Sequence, residues 1–348
     1  MHAINIVDLF AGPGGLDVAA RELGLPVTGI EWDADACATR QAAGLLTRQA
    51  DVRELGPADF PAATVLAGGP PCQTYTVAGS GTGRRALDDV LALAKRMAAG
   101  EDVTADLKEA VDERTGLVLE PLRWALEAVE TNRPYQAIVL EQVPAVLPVW
   151  EAVGEALDAV GYATKCAVLR TEEYGVPQTR RRAILIARRN TTGDREFTVD
   201  MPPATHRPYR KGVDRDTGDP GREPWVPMGK VVKRPVRYEV VSNYGTGGDP
   251  AARGRRTSDE PSATVTGKIS RNRIVSSYDQ TELERFTLAE AGQLQTFPAD
   301  YPWSGRNRAQ QIGNAIPPRL AAHVLASALD LGEERLHKAL SALGGATA

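Results

Sequence analysis

Residues 3–15 read AINIVDLFAGPGG. The run up to Phe10 is apolar and rich in Ile and Val, the pattern of a buried strand. The glycines after it permit a sharp turn and a close approach of backbone to ligand. A helical pattern through Val18, Ala19 and Leu23 follows and stops at Pro26. Strand, glycine turn and helix in that order open a βα unit. Outward from it, VTGIEW (27–32), ATVLAGG (63–69) and QAIVLEQV (136–143) read as further strands, with helical patterns over 34–45, 117–130 and 149–160. YATKCAVL (162–169) and RRAILIAR (181–188) read as a closing pair. Strands alternating with helices predict an α/β, Rossmann-like domain: a mostly parallel sheet with helices on both faces.

The turn is not a full G-x-G-x-x-G, because position 17 is Asp, and this weakens a dinucleotide reading. Glu31 ends the second strand, where an acid typically takes ribose hydroxyls. With Asp8 and Asp51, an acid stands near each of three successive strand ends. That suits a nucleoside with a cationic or uncharged tail, and S-adenosylmethionine fits the description. The bland alternative is a structural βα turn with surface acids.

Past residue 190 the chain turns dense in Pro, Gly, Arg and Asp, with short strand-like pieces at RYEVV (237–241) and SATVTG (262–267). Helical patterning returns at 281–297 and 317–343. The expected organisation is a catalytic domain over 1–190, a small mainly β or irregular domain over 191–280, and C-terminal helices over 281–348 that return to the catalytic domain. Residues 84–110, charged and Ala-rich, form a separate helical insertion. Net charge is −4, but residues 201–280 carry fifteen Lys/Arg against nine Asp/Glu, a local +6 on a body of −10. Such a division can put one basic face on an acidic molecule. The alternative is a solvated, loop-rich surface.

In 348 residues with 42% apolar content there is no apolar run long enough to span a membrane and no signal-peptide pattern. Three scattered cysteines and four histidines form no disulfide framework and no zinc spacing, so no metal is expected and a reducing cytoplasm fits. Cys37 and Cys166 lie in helix- and strand-like runs and read as small buried hydrophobes. Cys72 differs. It follows Gly68-Gly69-Pro70-Pro71 on a stiff loop at the end of a strand, where open α/β folds hold their ligands. A nucleophilic thiol there needs an electropositive setting.

Taken together, DLFAGPGG, GGPPCQ, LEQV, PQTRRR, LAEAGQLQTFP and QIGNAIPP, spread in order over residues 8–318, resemble the motif set of DNA cytosine-5 methyltransferases. The resemblance implies S-adenosylmethionine as cofactor and S-adenosylhomocysteine as product. The cofactor-binding candidates are Asp8, Phe10, Gly12, Gly14, Gly15, Glu31, Trp32, Asp51, Pro71 and Asn314. Phe10 would stack on adenine and Trp32 flank it, Gly12 and Gly14 would admit the methionine part, Glu31 would hold the ribose, and Asp51 would meet the adenine amino group. Cys72 would be the nucleophile, with Glu141, Arg180 and Arg182 as catalytic partners. Cytosine carbon 5 is a poor nucleophile. Thiolate addition at carbon 6 makes an enamine, eased by a carboxyl at ring nitrogen 3 and an arginine at the exocyclic oxygen. The base must leave the duplex first.

The implied partner is double-stranded DNA, bound by a monomer, with a cognate restriction endonuclease as a candidate partner. The recognition segment would be about 190–280. DNA-contact candidates are Gln73, Arg114, Gln178, Arg253, Arg255, Arg256, Lys268, Arg271 and Arg273. Arg181, on the opposite face of its strand from Arg180 and Arg182, reads as an exposed residue or a phosphate clamp. Two departures stand out. Gln142 replaces the family's usual Asn, which braces the cysteine loop. The stretch 84–110 extends the loop after Cys72 and reads as a helical elaboration of a lid, with Arg84, Arg85, Lys95 and Arg96 as DNA contacts. Rival readings are the same chemistry on RNA, a catalytically silent DNA-binding homologue, and an altered donor or pre-modified base.

Overall fold

The computed structural model describes residues 3–71, 81–101, 103, 106, 116–194, 196–242 and 254–343, with the backbone alone for 81–86. The predicted alternation is present: β1 (Ile6–Leu9), α1 (Gly15–Glu22), β2 (Val27–Glu31), α2 (Ala34–Ala42), β3 (Thr47–Gln49), β4 (Val65–Gly68), α3 (Gly81–Ala98), α4 (Glu120–Glu130), β5 (Ala137–Gln142), α5 (Leu147–Ala159), β6 (Tyr162–Arg170) and β7 (Arg181–Arg189). The sheet order is β3-β2-β1-β4-β5-β7-β6. The first five strands run parallel, and β7 is antiparallel to both β5 and β6.

Strand residues alternate between faces, so neighbours in sequence enter different cores. Val7, Leu66 and Ile138 face one layer with Trp124 of α4 and Trp150 of α5. Ile6, Val65 and Ala137 face the other, against Val18 of α1 and Leu320 and Val324 from near the end of the chain. Both tryptophans are fully buried, and each indole N–H donates to a backbone carbonyl, of Val52 and Ala183, at 3.3 Å. That satisfies the polar end of each large apolar side chain.

The basic segment holds a second, antiparallel sheet with α6 (Met228–Val231) beside it. Its strands are β8 (Tyr238–Val241), β9 (Arg255–Thr257), β10 (Arg273–Ser276) and β11 (Glu282–Leu283), in the order β11-β10-β8-β9. The small sheet therefore runs three residues past the expected boundary. Then come α7 (Leu288–Leu294), α8 (Arg308–Asn314), α9 (Pro318–Leu329) and α10 (Glu333–Ala342). Leu294 of α7 and Ile312 of α8 pack with Val240 and Ile274 of the small sheet, whereas α9 and α10 pack on the large one. α8 also reaches the large domain, where Gln311 Oε1 accepts from Thr39 Oγ1 of α2 at 2.6 Å. The helical run over 317–343 is broken at Asp330, whose φ is 53°.

SATVTG is not a strand. Ser262 makes one bridge to Gln178, and beyond it side chains take the backbone groups a ladder would need. Val265 N–H donates to Gln178 Oε1 at 2.7 Å, and Val265 O accepts from Arg180 at 3.1 Å. The insertion is helical as far as Ala98, and that helix, α3, docks: Val90, Ala94 and Met97 are buried in the core shared with α5. Arg96 pairs with Glu101 at 2.7 Å and Asp106 at 3.0 Å, so its charge is used within the protein rather than offered to DNA. The side chains of Arg84 and Arg85 lie outside the described residues, and Lys95 is exposed. Among the described residues no helix is long and apolar enough to cross a membrane, and no cluster of His, Cys, Asp and Glu could hold a metal.

Candidate active site

Sheet order reverses between β1 and β4, and open α/β sheets bind ligands beyond the carboxyl ends of their strands at that point. The glycine turn sits there. Phe10, Gly12 and Gly14 all take positive φ (59°, 54° and 99°), which for a phenylalanine costs about 1–3 kcal/mol. Glu31 Oε2 accepts the Gly12 N–H at 2.8 Å, and its Oε1 accepts those of Trp32 and Asp33 at 2.9 and 2.8 Å. Trp32 is 69% exposed beside it.

The three glycines differ in purpose. A Cβ on Gly12 would meet nothing within 4 Å, so this position opens on space. A Cβ on Gly14 would fall 2.3 Å from Leu45, and one on Gly15 2.2 Å from the Ile316 carbonyl. Gly14 and Gly15 thus serve packing within the protein. Ile316 lies just past exposed Asn314, so the chain's last motif does fold back over the turn; Asn314 itself accepts from Gln310 at 2.7 Å.

Burial pushes the carboxyl pKa values of Asp8 and Glu31 up, and for Asp8 the charge of Asp17 adds to this. Buried acids around an open cradle favour a ligand that brings positive charge. Exposed Trp32, open Gly12 and these acids fit S-adenosylmethionine, which carries a sulfonium and an ammonium. Asp51 fits less simply: Arg53 grips its carboxylate at 2.6–3.0 Å, and that pairing holds its pKa below the usual range.

Asp17, the residue that breaks the dinucleotide pattern, has a partner the sequence did not announce. Arg40 of α2 donates to both its oxygens at 2.6 and 2.8 Å, and both side chains are buried. Arg40 also donates to Leu46 O at 3.1 Å and to Thr47 Oγ1 at 2.9 Å, joining α1, α2 and the approach to β3.

On the other side of the cleft, β5 ends in Glu141 and Gln142. Arg182 Nε stands 2.6 Å from Glu141 Oε1, and both side chains of this ion pair are mostly buried. Gln142 Nε2 donates to the Pro70 carbonyl, two residues before Cys72, and Gln142 Oε1 accepts the Val143 N–H. The longer side chain folds back and keeps a brace on the proline loop. Pro71 is half-buried at the rim. Cys72, Gln73, Arg114 and Arg253 lie outside the described residues.

Arg180 and Gln178 differ from their expected roles. Arg180 is 2% exposed and donates to Val265 O at 3.1 Å and Gly313 O at 2.9 Å. It clamps a contact in which Gly313 lies against Thr266 and Gly267, where a Cβ would sit 2.4 Å from Gly267 N. Gln178 is fully buried and bonded to Leu294 O, Gln295 and Val265 N, so it is not offered to DNA. The remaining DNA candidates, Arg255, Lys268, Arg271 and Arg273, are exposed, and Arg256 is half-buried. Arg255 pairs with Glu239 at 2.7 Å and Arg273 with Glu282 at 3.8 Å. Cys37 and Cys166 are partly buried thiols whose pKa values burial pushes up to about 11 and about 12, consistent with inert packing residues.

A family model described as C-5 cytosine-specific DNA methylase matches residues 4–94 and 104–329. Among curated proteins, the chain is 27% identical to the Type II methyltransferase M1.HphI of Haemophilus parahaemolyticus, over 94% of this chain and 87% of that one. It is also 27% identical to the Type II methyltransferase M.AplI of Arthrospira platensis, over 92% and 84%. In fold it is similar to the crystal structure of the S. pombe Dnmt2 methyltransferase, with a TM-score of 0.62 at 19% identity, covering 94% of this chain and 98% of that one. With the cradle at the β1 turn and the Glu141–Arg182 pair opposite it, the matched length places this chain in the C-5 cytosine-specific DNA methylase family, as a DNA cytosine-5 methyltransferase.

Proposed function

We propose that the chain methylates carbon 5 of a cytosine flipped out of a specific duplex sequence, with Cys72 as nucleophile. The observation that carries this reading is the pairing of Glu141 and Arg182, with Gln142 bracing Pro70, two residues before Cys72 in the chain. The Glu141 carboxyl, held by Arg182, suits a hydrogen bond to the base at ring nitrogen 3. Arg182 holds that carboxylate and offers positive charge near the exocyclic oxygen. Cys72 adds to carbon 6, which makes carbon 5 nucleophilic. Proton loss from carbon 5 then lets the cysteine leave and restores the aromatic ring.

Phe10, Gly12, Glu31 and Trp32 would hold S-adenosylmethionine, with Asp8 and the Asn314 segment behind them. When bound, that group supplies the electrophilic methyl for carbon 5 and departs as S-adenosylhomocysteine. Arg180 is a positioning residue in this scheme, since its terminal nitrogens are spent on carbonyls. The catalytic domain is the large sheet with α9 and α10. The target-recognition domain is the small sheet, extended to Leu283 and joined by α7 and α8. The basic charge of 201–280 supports DNA as its partner. The Type II names of the relatives support a cognate restriction endonuclease in the cell.

The test is to incubate the protein with labelled S-adenosylmethionine and mixed-sequence duplex DNA and map the label. Label on carbon 5 of cytosines within one short sequence is expected, and none with Cys72→Ser. Label on an exocyclic nitrogen or on adenine would refute the reading.

A further inference from the structure

The ladder of β6 and β7 sets Arg170 directly opposite Arg181. Partners in an antiparallel ladder project from one face, and like charges placed so destabilise the sheet. Neither guanidinium pairs with an acid among the described residues. Both border a cavity of about 550 Å³ that Tyr209 and Arg256 close from the small-domain side. Arg256 lies 4.1 Å over the Tyr209 ring, whose hydroxyl donates to Glu260, so its position is held. Arg182 lines the same cavity and pairs with Glu141, which puts the cavity next to the residues for the reacting base. The one acid on its wall, Glu172, is 5% exposed, and burial pushes its carboxyl up to about 6.

We propose that this cavity is a phosphodiester site, in which Arg170 and Arg181 from the large sheet and Arg256 from the small domain grip the backbone of the strand that carries the flipped cytosine. The repulsion between Arg170 and Arg181 is relieved by the bound anion. The proposal deepens the DNA reading and rests on it for the identity of the strand.

Arg170→Gln and Arg181→Gln test it, with Arg21→Gln, an exposed arginine of α1, as control. Each of the two should weaken duplex binding about tenfold at low salt, the value of one charge-assisted hydrogen bond. Each should also lower the slope of log affinity against log salt by about 0.9. Without DNA, Arg181→Gln should melt higher than the wild type, and sodium phosphate should raise the wild-type melting temperature more than the variant's. An unchanged salt slope, a fall in melting temperature together with affinity, or a loss of phosphate stabilisation with no loss of duplex affinity would each overturn the site. Duplex binding is read without methyl transfer. A wild type that grips DNA through these arginines but methylates no cytosine would refute the functional reading and leave the site standing.

Discussion

Gln142 shows how one side chain can depart from a motif and keep its task. Its Nε2 reaches the Pro70 carbonyl, so the chain is held from β5 two residues before Cys72. Gln142→Ala removes that bond. We expect kcat to fall roughly fivefold to thirtyfold, about 1–2 kcal/mol, with the KM for S-adenosylmethionine little changed; steady-state kinetics with each substrate varied checks this. The glycine turn makes a second, sharper contrast. Gly15→Ala drives a Cβ to 2.2 Å from the Ile316 carbonyl and should cost about 1–3 kcal/mol of stability, read as a lower melting temperature. Gly12→Ala meets open space but strains a φ of 54° on the ligand side, so its effect should fall on S-adenosylmethionine binding by calorimetry.

Elements are joined here by pairs that sequence spacing does not reveal. Asp17 was legible only as a break in a glycine pattern; its partner Arg40 comes from the next helix and could be found only in three dimensions. Asp17→Ala should lower stability by about 3–5 kcal/mol, because it leaves a buried guanidinium without its counter-charge; urea unfolding measures it. The large-sheet strands were legible because each is a short apolar run next to a turn signal, as in IVDL and AIVLEQ. SATVTG had the same look yet is no strand, since Gln178 and Arg180 occupy its backbone groups, and such side-chain competition leaves no trace in periodicity. At 281–297 the helical reading ran long. The capping box of Thr287 and Glu290, at 2.9 and 3.1 Å, starts the helix late, and that signal stood in the sequence as Thr-Leu-Ala-Glu. Glu141 and Arg182 were found by motif, while the arginine ladder partner Arg170 was not, because register across β6 and β7 is a tertiary fact.

For the whole molecule, two buried histidines tie the irregular segment to α9. Burial, with Arg319 and Lys230, holds the His206 pKa down to about 4; burial, with Arg319 and His206, holds that of His323 down to about 3. An unfolded imidazole titrates near 6.5. Both groups are depressed bases, so their contribution is complete above pH 6.5 and is lost as pH falls from there through 4 and then 3. The melting temperature should be level from pH 7 to 8 and fall steeply below pH 6, as the unfolding free energy drops by about 1.4 kcal/mol per pH unit for each histidine. His323→Phe should make the acid limb shallower, and calorimetry across this range checks it.

At the same scale, the large sheet, the small sheet and the returning helices meet around one cleft, and the chemistry assigned to it depends on a transient bond between Cys72 and the base. A duplex carrying 5-fluorocytosine at the target position tests that bond, because the proton that must leave carbon 5 is replaced by fluorine. With S-adenosylmethionine present, the wild type should form a protein–DNA adduct that survives denaturing electrophoresis, and Cys72→Ser should form none. A wild type that methylates ordinary DNA at the same site yet leaves the fluorinated duplex free would contradict the account.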